Sequence, residues 1–315
     1  MPVPTFTIAL GNYGVTRPLK EGKLKLERAN LEFIEVEPIT AGMRRMVRRA
    51  EFDICEMAFT TYLCARALGK PVTAIPIFVT RNFHHWAAFH NLKAGIKVPK
   101  DLEGRTVGVS RGYTVTTGLW VRGILDSEYG VDLEKITWAA TDDEHVDEYK
   151  ARAPRNVSYA NQGKSIVEML NSGAVPAAVG DIKADPALVK PLIPNAQEAG
   201  FAYYRKTGVY PINHGVVIKN SVLAEHPWLA EDLFRLFKTS KQGFLPLLES
   251  GQNLVANDQA ARACRQAVGP DPFPYGVEAN RPALETIVNF AVKQHVIAAP
   301  MRVEELFAPS TLKLA

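Results

Sequence analysis

Apolar positions along the chain follow two different periods that alternate with one another. Short continuous or alternating apolar runs are typical of strands, and they fall at residues 5–10, 31–37, 52–59, 72–80, 106–110, 136–140, 177–180 and 215–218. Between them lie two faces with the apolar spacing of a helix: Met43, Met46, Val47 and Ala50, then Trp120, Val121, Ile124 and Leu125. Strands that alternate with helices predict an α/β protein.

The last third of the chain has a different pattern. Apolar residues recur there at helical spacing with few strand candidates between them, at Leu229, Leu233, Leu236 and Phe237, and again at Leu284, Ile287, Val288, Ala291 and Val292. We therefore predict that the C-terminal third is mostly helical.

Two segments, 89–99 and 198–211, flank the middle of the chain and are interpreted as crossings between two lobes. On this interpretation residues 1–88 and 205–315 form the first lobe, and residues 89–204 form the second. Ligand sites are concave and favour domain boundaries. The sequence therefore predicts two α/β lobes with a ligand cleft between them.

Charge and cysteine content narrow the range of partners. The 315 residues include 37 Lys and Arg against 33 Asp and Glu, a formal net charge of +4. This mild excess suits small anions and argues against nucleic acid, whose binding needs clustered positive charge. Cys55, Cys64 and Cys264 form an odd set without metal-ligand spacing, which predicts reduced thiols and no disulfide.

The amino terminus and the hydropathy pattern favour a cytoplasmic protein. No charged segment precedes the first apolar run, which Gly11 and Asn12 interrupt, and no stretch approaches about 18 apolar residues. We therefore expect neither a signal peptide nor a membrane anchor. A homo-oligomer is compatible with this sequence.

The densest group of polar and aromatic residues follows the strand predicted at 72–80. It contains Arg81, Phe83, His84, His85 and Trp86, and it lies at a strand end, where open α/β sheets carry their sites. Histidine exchanges a proton near neutral pH and arginine holds carboxylates, so the group suits acid–base chemistry on an acidic ligand. If the strand continued, His84 and His85 would face opposite ways, and at most one of them would line the cleft.

Glu56 interrupts an otherwise apolar strand, where an ionised carboxylate is costly without a partner. Either it forms a structural ion pair with an arginine, or it opens into the cleft and binds a ligand hydroxyl. Thr60 and Thr61 follow it as hydroxyl donors. Asn213 and His214 precede the strand at 215–218, near the second crossing, and we expect them to face the same cleft.

Gly108, Ser110 and Gly112 spell the G-x-S-x-G pattern of a serine esterase, after one predicted strand and before a predicted helix. Asp181 and His214 are available for a triad, but the glycine-rich oxyanion loop of that fold is missing. A simpler use of the turn is an anion site, because the free N–H groups of a helix start attract negative charge. Arg111 would then add a carboxylate contact, although a surface ion pair is an equally simple role for it.

A metal site is the remaining alternative for the histidines. His84 or His85 would form it with His90 and His214, but no H-E-x-x-H spacing or neighbouring set of carboxylates supports it. We predict no bound metal.

Four segments resemble the 4,5-dihydroxyphthalate decarboxylase family, in the same order and over nearly the whole chain. They read EFDICEMAFTTYL, PVTAIPIFVTRNFHH, DLEGRTVGVSRGY and VYPINHGVVIKN. The RNFHH and PINH parts are the more specific to that family, whereas DLEGRTVGV is widespread among binding proteins of the same fold. The resemblance implies a type 2 periplasmic-binding-protein-like fold, in which two α/β lobes are hinged around a ligand cleft.

The resemblance also implies a reaction, the loss of one carboxylate as CO₂ from 4,5-dihydroxyphthalate to give protocatechuate, without an organic cofactor. The reaction needs a proton at the carbon that loses the carboxylate, electron push from the para phenol, and a cation on the second carboxylate. On this resemblance Arg81 and Arg111 would hold the two carboxylates, and His84 or His85 would deliver the proton.

The remaining implied roles concern the ring. Glu56 or His214 would hold or deprotonate a ring hydroxyl. The side chains of Trp86 and Phe83 would form an apolar surface around the carboxylate that leaves. A carboxylate held tightly by arginine is stabilised in the ground state and leaves more slowly.

Two other interpretations stay open. A solute-binding protein for an aromatic or other small carboxylate would use the same cations and aromatic residues, but a receptor outside the cytoplasm needs an export signal. Cytosolic enzymes of this fold in menaquinone or thiamine pathways are a further alternative, because fold alone does not fix chemistry.

Overall fold

A computed structural model describes residues 3–315. Its strands, in chain order, are β1 (Thr5–Ala9), β2 (Asn30–Phe33), β3 (Ile54–Ala58), β4 (Val72–Arg81), β5 (Ala88–Asn91), β6 (Thr106–Val109), β7 (Thr137–Ala140), β8 (Val157–Ser158), β9 (Ala177–Val179), β10 (Val189–Pro191) and β11 (Ile212–Lys219). Its helices are α1 (Arg17–Lys20), α2 (Ile39–Arg49), α3 (Phe59–Ala67), α4 (Thr116–Tyr129), α5 (Ile166–Ser172), α6 (Ala196–Thr207), α7 (Asn220–Glu225), α8 (Leu229–Ser250), α9 (Ala256–Val268) and α10 (Arg281–Lys293).

These elements confirm the predicted α/β class and the helical C-terminal third. Each of the eight predicted runs overlaps a strand, whereas β5, β8 and β10 were not predicted. The missed strands have two to four residues, too few to show a period. Within residues 3–315 no helix is long and apolar enough to cross a membrane.

The chain divides into two units. The first comprises the residues up to Asn82, Gly208–Thr286 and Met301–Ala315, and the second comprises Phe83–Thr207 and Ile287–Pro300. The main difference from the predicted lobes is the segment Ile287–Pro300, which the prediction kept with the first lobe. It packs within the second unit, where the ring of Phe290 meets that of Trp120 edge-on at 5.6 Å. An apolar helical stripe shows that a helix is buried but not against which unit.

The first unit is built on a five-stranded sheet with the order β2-β1-β3-β11-β4. β1 runs parallel to β2 and β3, and β11 runs antiparallel to β3 and β4. The carboxyl ends of β1, β3 and β4 therefore lie at the same edge as the amino end of β11. This is the edge at which α/β sheets place their ligands.

The middle of this sheet is fully buried because its strands are apolar on both faces. All five residues of β3, ICEMA, are buried, and Ile54 joins Ile8, Val216 and Phe237 of α8 in one apolar core. Burying each large apolar side chain contributes about 1.5–3 kcal/mol. The core fixes β3 and β11 rigidly, and Glu56 is carried on β3.

The second unit is built on a six-stranded sheet with the order β10-β5-β9-β6-β7-β8. β6 runs parallel to β7 and β9, and β5 runs antiparallel to β9. Ser110, Thr141 and Gly180 each follow the carboxyl end of one of these parallel strands, so they lie at one edge of the sheet.

Candidate active site

Glu56 and His214 form a close pair at the ligand edge of the first sheet. His214 is paired across the sheet with Ala58, and Val216 with Glu56, so Glu56 and His214 are diagonal neighbours on one face. Nδ1 of His214 lies 2.6 Å from Oε1 of Glu56. The Glu56 side chain has no exposed surface, whereas 20% of the His214 side chain is exposed.

Two further donors converge on the same carboxylate. The backbone N–H of Gly11 donates to Oε2 of Glu56 at 2.7 Å, and the hydroxyl of Tyr13 donates to Oε1 at 2.9 Å. None of these partners is an arginine, so the ion pair considered for Glu56 is replaced by a polar cluster. Burial, followed by the charge of Glu56, raises the pKa of Tyr13, and the phenol therefore stays protonated and keeps donating.

This hydrogen bonding orients the imidazole of His214. An ionised carboxylate only accepts, so Nδ1 is the nitrogen that donates to Glu56, and the neutral tautomer that makes this contact carries its lone pair on Nε2. Among residues 3–315 Nε2 has no hydrogen-bond partner. A carboxylate that orients a partly exposed imidazole in this way is a common arrangement for a general base. We call the two residues the Glu56–His214 pair.

The backbone around His214 is irregular. Pairing between β11 and β4 shifts register between Ile212, His214, Gly215 and Val216, and such bulges re-aim side chains and are frequent beside active sites. Asn213 lies in this irregular stretch and is half-buried. Thr60 and Thr61 lie in the first turn of α3 and are fully buried.

Arg81 ends β4 at the same edge but is buried within the first unit. Its guanidinium donates to the side chain of Asn280 and to the carbonyl of Tyr210, and it stacks 4.3 Å from the centroid of the Tyr210 ring. These contacts tie β4 to neighbouring segments, and they favour a structural role over a carboxylate anchor.

In the second unit, the turn after β6 binds the carboxyl group of Glu144. The backbone N–H groups of Tyr113 and Thr114 donate to it at 2.6 and 3.0 Å, and so do the Thr114 and Tyr159 hydroxyls at 2.6 and 2.7 Å. Burial followed by the charge of Glu144 raises the pKa of Tyr159. The N–H groups predicted from the sequence to bind a ligand anion therefore bind an internal carboxyl group, that of Glu144.

Ser110 and Arg111 lie at the start of this turn. The Ser110 hydroxyl donates to the backbone carbonyl of Asp181 at 3.3 Å, and Arg111 adopts a left-handed φ of 69°. The helix α4 begins only at Thr116, so Ser110 is not on the sharp strand-to-helix turn of an esterase nucleophile. The structure gives the esterase alternative no support.

His84 and His85 also belong to the second unit and are 1% and 2% exposed. Because β4 ends at Arg81, strand parity does not apply to them, and His85 begins a short 3-10 turn with Trp86. Burial lowers the pKa of His85 to about 4, and its ring packs 5.5 Å from that of Tyr203. His85 is therefore neutral at pH 7 and poorly suited to donate a proton.

Trp86 is half-buried. Its Nε1 is buried and has no hydrogen-bond partner in the part of the chain that the structure describes. In the same described part, no group of three His, Cys, Asp or Glu side chains has the arrangement to hold a metal ion.

Tyr13 and Glu144 are candidate functional residues that the sequence interpretation missed. A signal for Tyr13 was present, since the segment LGNYG directly follows the first strand and glycines beside a polar aromatic residue at a strand end are typical of a functional loop. Glu144 carried no such signal, because it lies in an irregular polar segment.

Comparison with known proteins assigns the chain to a family. It is 28% identical over 322 residues to a 4,5-dihydroxyphthalate decarboxylase from Comamonas testosteroni, covering 98% of this chain and 97% of that protein. A protein of the same name from Pseudomonas putida is 30% identical over 180 residues, which cover 55% of this chain and 69% of the relative. Residues 31–151 match the family model described as NMT1/THI5 like.

A solved structure shows the same fold. The periplasmic aliphatic sulphonate binding protein SsuA from Escherichia coli matches with a TM-score of 0.56 and 12% identity, over 99% of both chains. This likeness confirms the predicted periplasmic-binding-protein-like fold. The two sequence relatives go further: the chain belongs to the 4,5-dihydroxyphthalate decarboxylase family.

Proposed function

We propose that this protein is a decarboxylase that removes one carboxylate, as CO₂, from a dihydroxylated aromatic dicarboxylate. The first substrate to test is 4,5-dihydroxyphthalate, with protocatechuate as the product. Two relatives carry the name of this decarboxylase. The structural observation that carries the proposal is the Glu56–His214 pair at the ligand edge of the first sheet, with its buried carboxylate and partly exposed imidazole.

The substrate explains why such a pair is useful. Each carboxylate of 4,5-dihydroxyphthalate is para to a ring hydroxyl, and a phenolate pushes electrons to the carbon that bears the para carboxylate. In this proposal Nε2 of His214 accepts the hydroxyl proton, and Glu56 stabilises the imidazolium that forms. The ring itself supplies the electrons, so the proposed reaction needs no organic cofactor.

The reaction then balances with one added proton. A proton binds to the ring carbon that carries the carboxylate, the bond from that carbon to the carboxylate breaks, and its electron pair restores the aromatic ring. CO₂ leaves, and the imidazolium returns the phenol proton. The net change is the uptake of one proton, and it requires no oxidant or reductant.

The acid proposed to supply the carbon-bound proton is one of the two predicted histidines. His84 is the better candidate, because a pKa of about 4 leaves His85 without a proton to donate at neutral pH. Arg111 is proposed to bind the retained carboxylate, and the guanidinium of Arg81 donates to Asn280 and Tyr210.

A solute-binding protein for an aromatic or other small carboxylate is the second candidate, supported by the fold shared with a sulphonate-binding protein. Turnover separates the two. Purified protein is incubated with 4,5-dihydroxyphthalate, with and without a chelator, while CO₂ and protocatechuate are followed. Phthalate, which lacks the hydroxyls, is the matched control substrate.

We expect stoichiometric CO₂ and protocatechuate from the dihydroxylated compound and neither from phthalate. Tight binding without turnover, measured by calorimetry, would establish the binding protein instead. If the protein neither binds nor turns over 4,5-dihydroxyphthalate, the assignment of the substrate class is overturned.

A further inference from the structure

The loop between β1 and α1 supplies two of the three donors to Glu56. We call residues 10–16 the strap. Its Gly11 N–H and Tyr13 hydroxyl both donate to Glu56. Within the strap, the Thr16 hydroxyl donates to the Gly11 carbonyl at 2.7 Å and accepts from the Tyr13 N–H at 2.9 Å. The strap is therefore a hydrogen-bonded turn whose position sets the position of the Tyr13 hydroxyl.

Asp258 holds the strap from a distant part of the chain. It lies in the first turn of α9 and is 1% exposed. Both of its carboxylate oxygens lie 3.1 Å from the N–H of Gly14, and one also accepts from the N–H of Val255 at 3.3 Å. Placing a charged carboxylate in this buried position is costly, and a backbone N–H of the strap is one of the donors that bind it directly.

Two contacts from α8 support the same arrangement. The Ser240 hydroxyl donates to the Val15 carbonyl at 2.7 Å. A Cβ added at Gly14 would meet the Phe244 ring at 1.9 Å, so the strap lies directly against that ring. Asp258, Ser240 and Phe244 together hold two consecutive residues of the strap, Gly14 and Val15, from the helical C-terminal region.

We infer that Asp258 is a positioning residue for the Glu56–His214 pair, acting through the strap to hold the Tyr13 hydroxyl on Glu56. The inference rests on the proposed function for its kinetic consequence, but the geometric claim can be measured without turnover. If the strap loosens, Glu56 loses a hydrogen-bond donor and becomes more basic. A more basic carboxylate stabilises the imidazolium form of His214.

Charged groups lie near both Asp258 and Tyr13. Burial raises the pKa of Asp258, and the charge of Arg17 lowers it. Burial raises the pKa of Tyr13, and the carboxylates of Glu56, Glu37 and Asp258 raise it further. Substitution of Asp258 therefore changes one charge beside the strap as well as its hydrogen bond. Asp258→Asn removes the charge but keeps an oxygen that accepts from Gly14, and Asp258→Ala removes both.

The experiment compares Asp258→Ala and Asp258→Asn with Asp271→Ala. Asp271 is a matched control in the same unit, because it also accepts from a backbone N–H, that of Phe273, and its carboxylate pairs with Lys241 instead of with a strap residue. Three readouts are used: thermal unfolding, the titration of the His214 imidazole by NMR, and the pH profile of kcat with 4,5-dihydroxyphthalate.

We expect Asp258→Ala to move the His214 titration midpoint upward and to lower kcat about tenfold with little change in KM, in line with the loss of a positioning contact. Asp258→Asn should keep the His214 titration midpoint and kcat closer to the wild-type values. Asp271→Ala should lower the unfolding temperature without moving the His214 midpoint. In a Tyr13→Phe background, Asp258→Ala should add little further shift, because it acts through Tyr13.

An unchanged His214 midpoint in folded Asp258→Ala and Asp258→Asn would overturn the inference, and so would an equal shift in Asp271→Ala. These NMR results are read on protein without substrate. A shifted midpoint in a protein without decarboxylase activity would support the positioning role while contradicting the proposed function.

Discussion

The carboxylate of Glu56 and the imidazole of His214 are 158 residues apart in the chain and 2.6 Å apart in the fold. One side chain is completely buried and the other is partly exposed. The carboxylate of the buried member is surrounded by three hydrogen-bond donors, the Gly11 N–H, the Tyr13 hydroxyl and Nδ1 of His214. In His214, Nδ1 is held by Glu56, and Nε2 lies on the opposite side of the ring.

Tyr13→Phe tests whether the Tyr13 hydroxyl tunes this pair. The change removes one donor from Glu56, which makes the carboxylate more basic and favours the imidazolium of His214. We expect the acid limb of the kcat profile to move to higher pH by roughly half a unit to one unit. Steady-state kinetics from pH 5 to pH 9 measure the shift. A profile identical to that of the wild type would remove Tyr13 from the mechanism.

Gly11→Ala tests the close packing of the Gly11 backbone against the Tyr13 side chain within the strap. A Cβ at Gly11 would lie 2.4 Å from the Tyr13 hydroxyl oxygen, so the Tyr13 ring must move off Glu56. We expect a loss of activity at least as large as that of Tyr13→Phe, and destabilisation of about 1–3 kcal/mol. Gly243→Ala is the control, because nothing lies within 4 Å of its added Cβ. Equal effects of the two substitutions would contradict the packing argument.

His85 should make folding stability depend on pH. Its pKa is lowered from 6.5 to about 4 by burial, so below pH 6.5 the unfolded chain binds a proton that the folded protein does not. Stability contributed by neutral His85 is complete above pH 6.5 and is lost as the pH falls toward 4, by up to about 3 kcal/mol.

The measurement is urea unfolding of the wild type and His85→Gln at pH 7.5 and pH 4.5. The wild type should lose about 2–3 kcal/mol more than the variant between these values, whatever the absolute stability of each. Parallel losses in the two proteins would show that His85 is protonated in the fold.

Glu144→Ala should destabilise the second unit. The substitution leaves the N–H groups of Tyr113 and Thr114 and the Tyr159 hydroxyl without their acceptor, at a cost of about 2–4 kcal/mol. Glu198→Ala, which removes an exposed ion pair with Arg205, should cost less than about 1 kcal/mol. Denaturant unfolding compares the two. A small effect at Glu144 would mean that solvent replaces its oxygens and that the turn is more open than the structure shows.

The sequence predicted most of the fold because apolar periodicity is a local property. Glu56 was identified for the same reason, since one charge in the run ICEMA conflicts with burial. His214 was named as a possible partner of the ligand, but its direct contact with Glu56 was not predicted. That contact depends on the pairing of β3 with β11, and strand order cannot be derived from the period of either strand.

The remaining parts of the site depend on contacts between distant segments. Gly14 and Asp258 are 244 residues apart, and Tyr13 and Glu56 are 43 apart. Burial of His84 and His85 was also not predicted, because it depends on α6 packing over the turn that follows β4, as the contact of Tyr203 with His85 illustrates. Local sequence shows which residues carry chemistry, and tertiary packing decides which of them meet.

His214→Gln tests the central claim most directly, with kcat for 4,5-dihydroxyphthalate measured beside the binding constant of the substrate. Glutamine is similar in reach to histidine and can still donate to Glu56, but it cannot accept and return a proton. The account predicts a loss in kcat of at least about a hundredfold with substrate binding nearly unchanged. A variant that folds, binds and decarboxylates at the wild-type rate would contradict it.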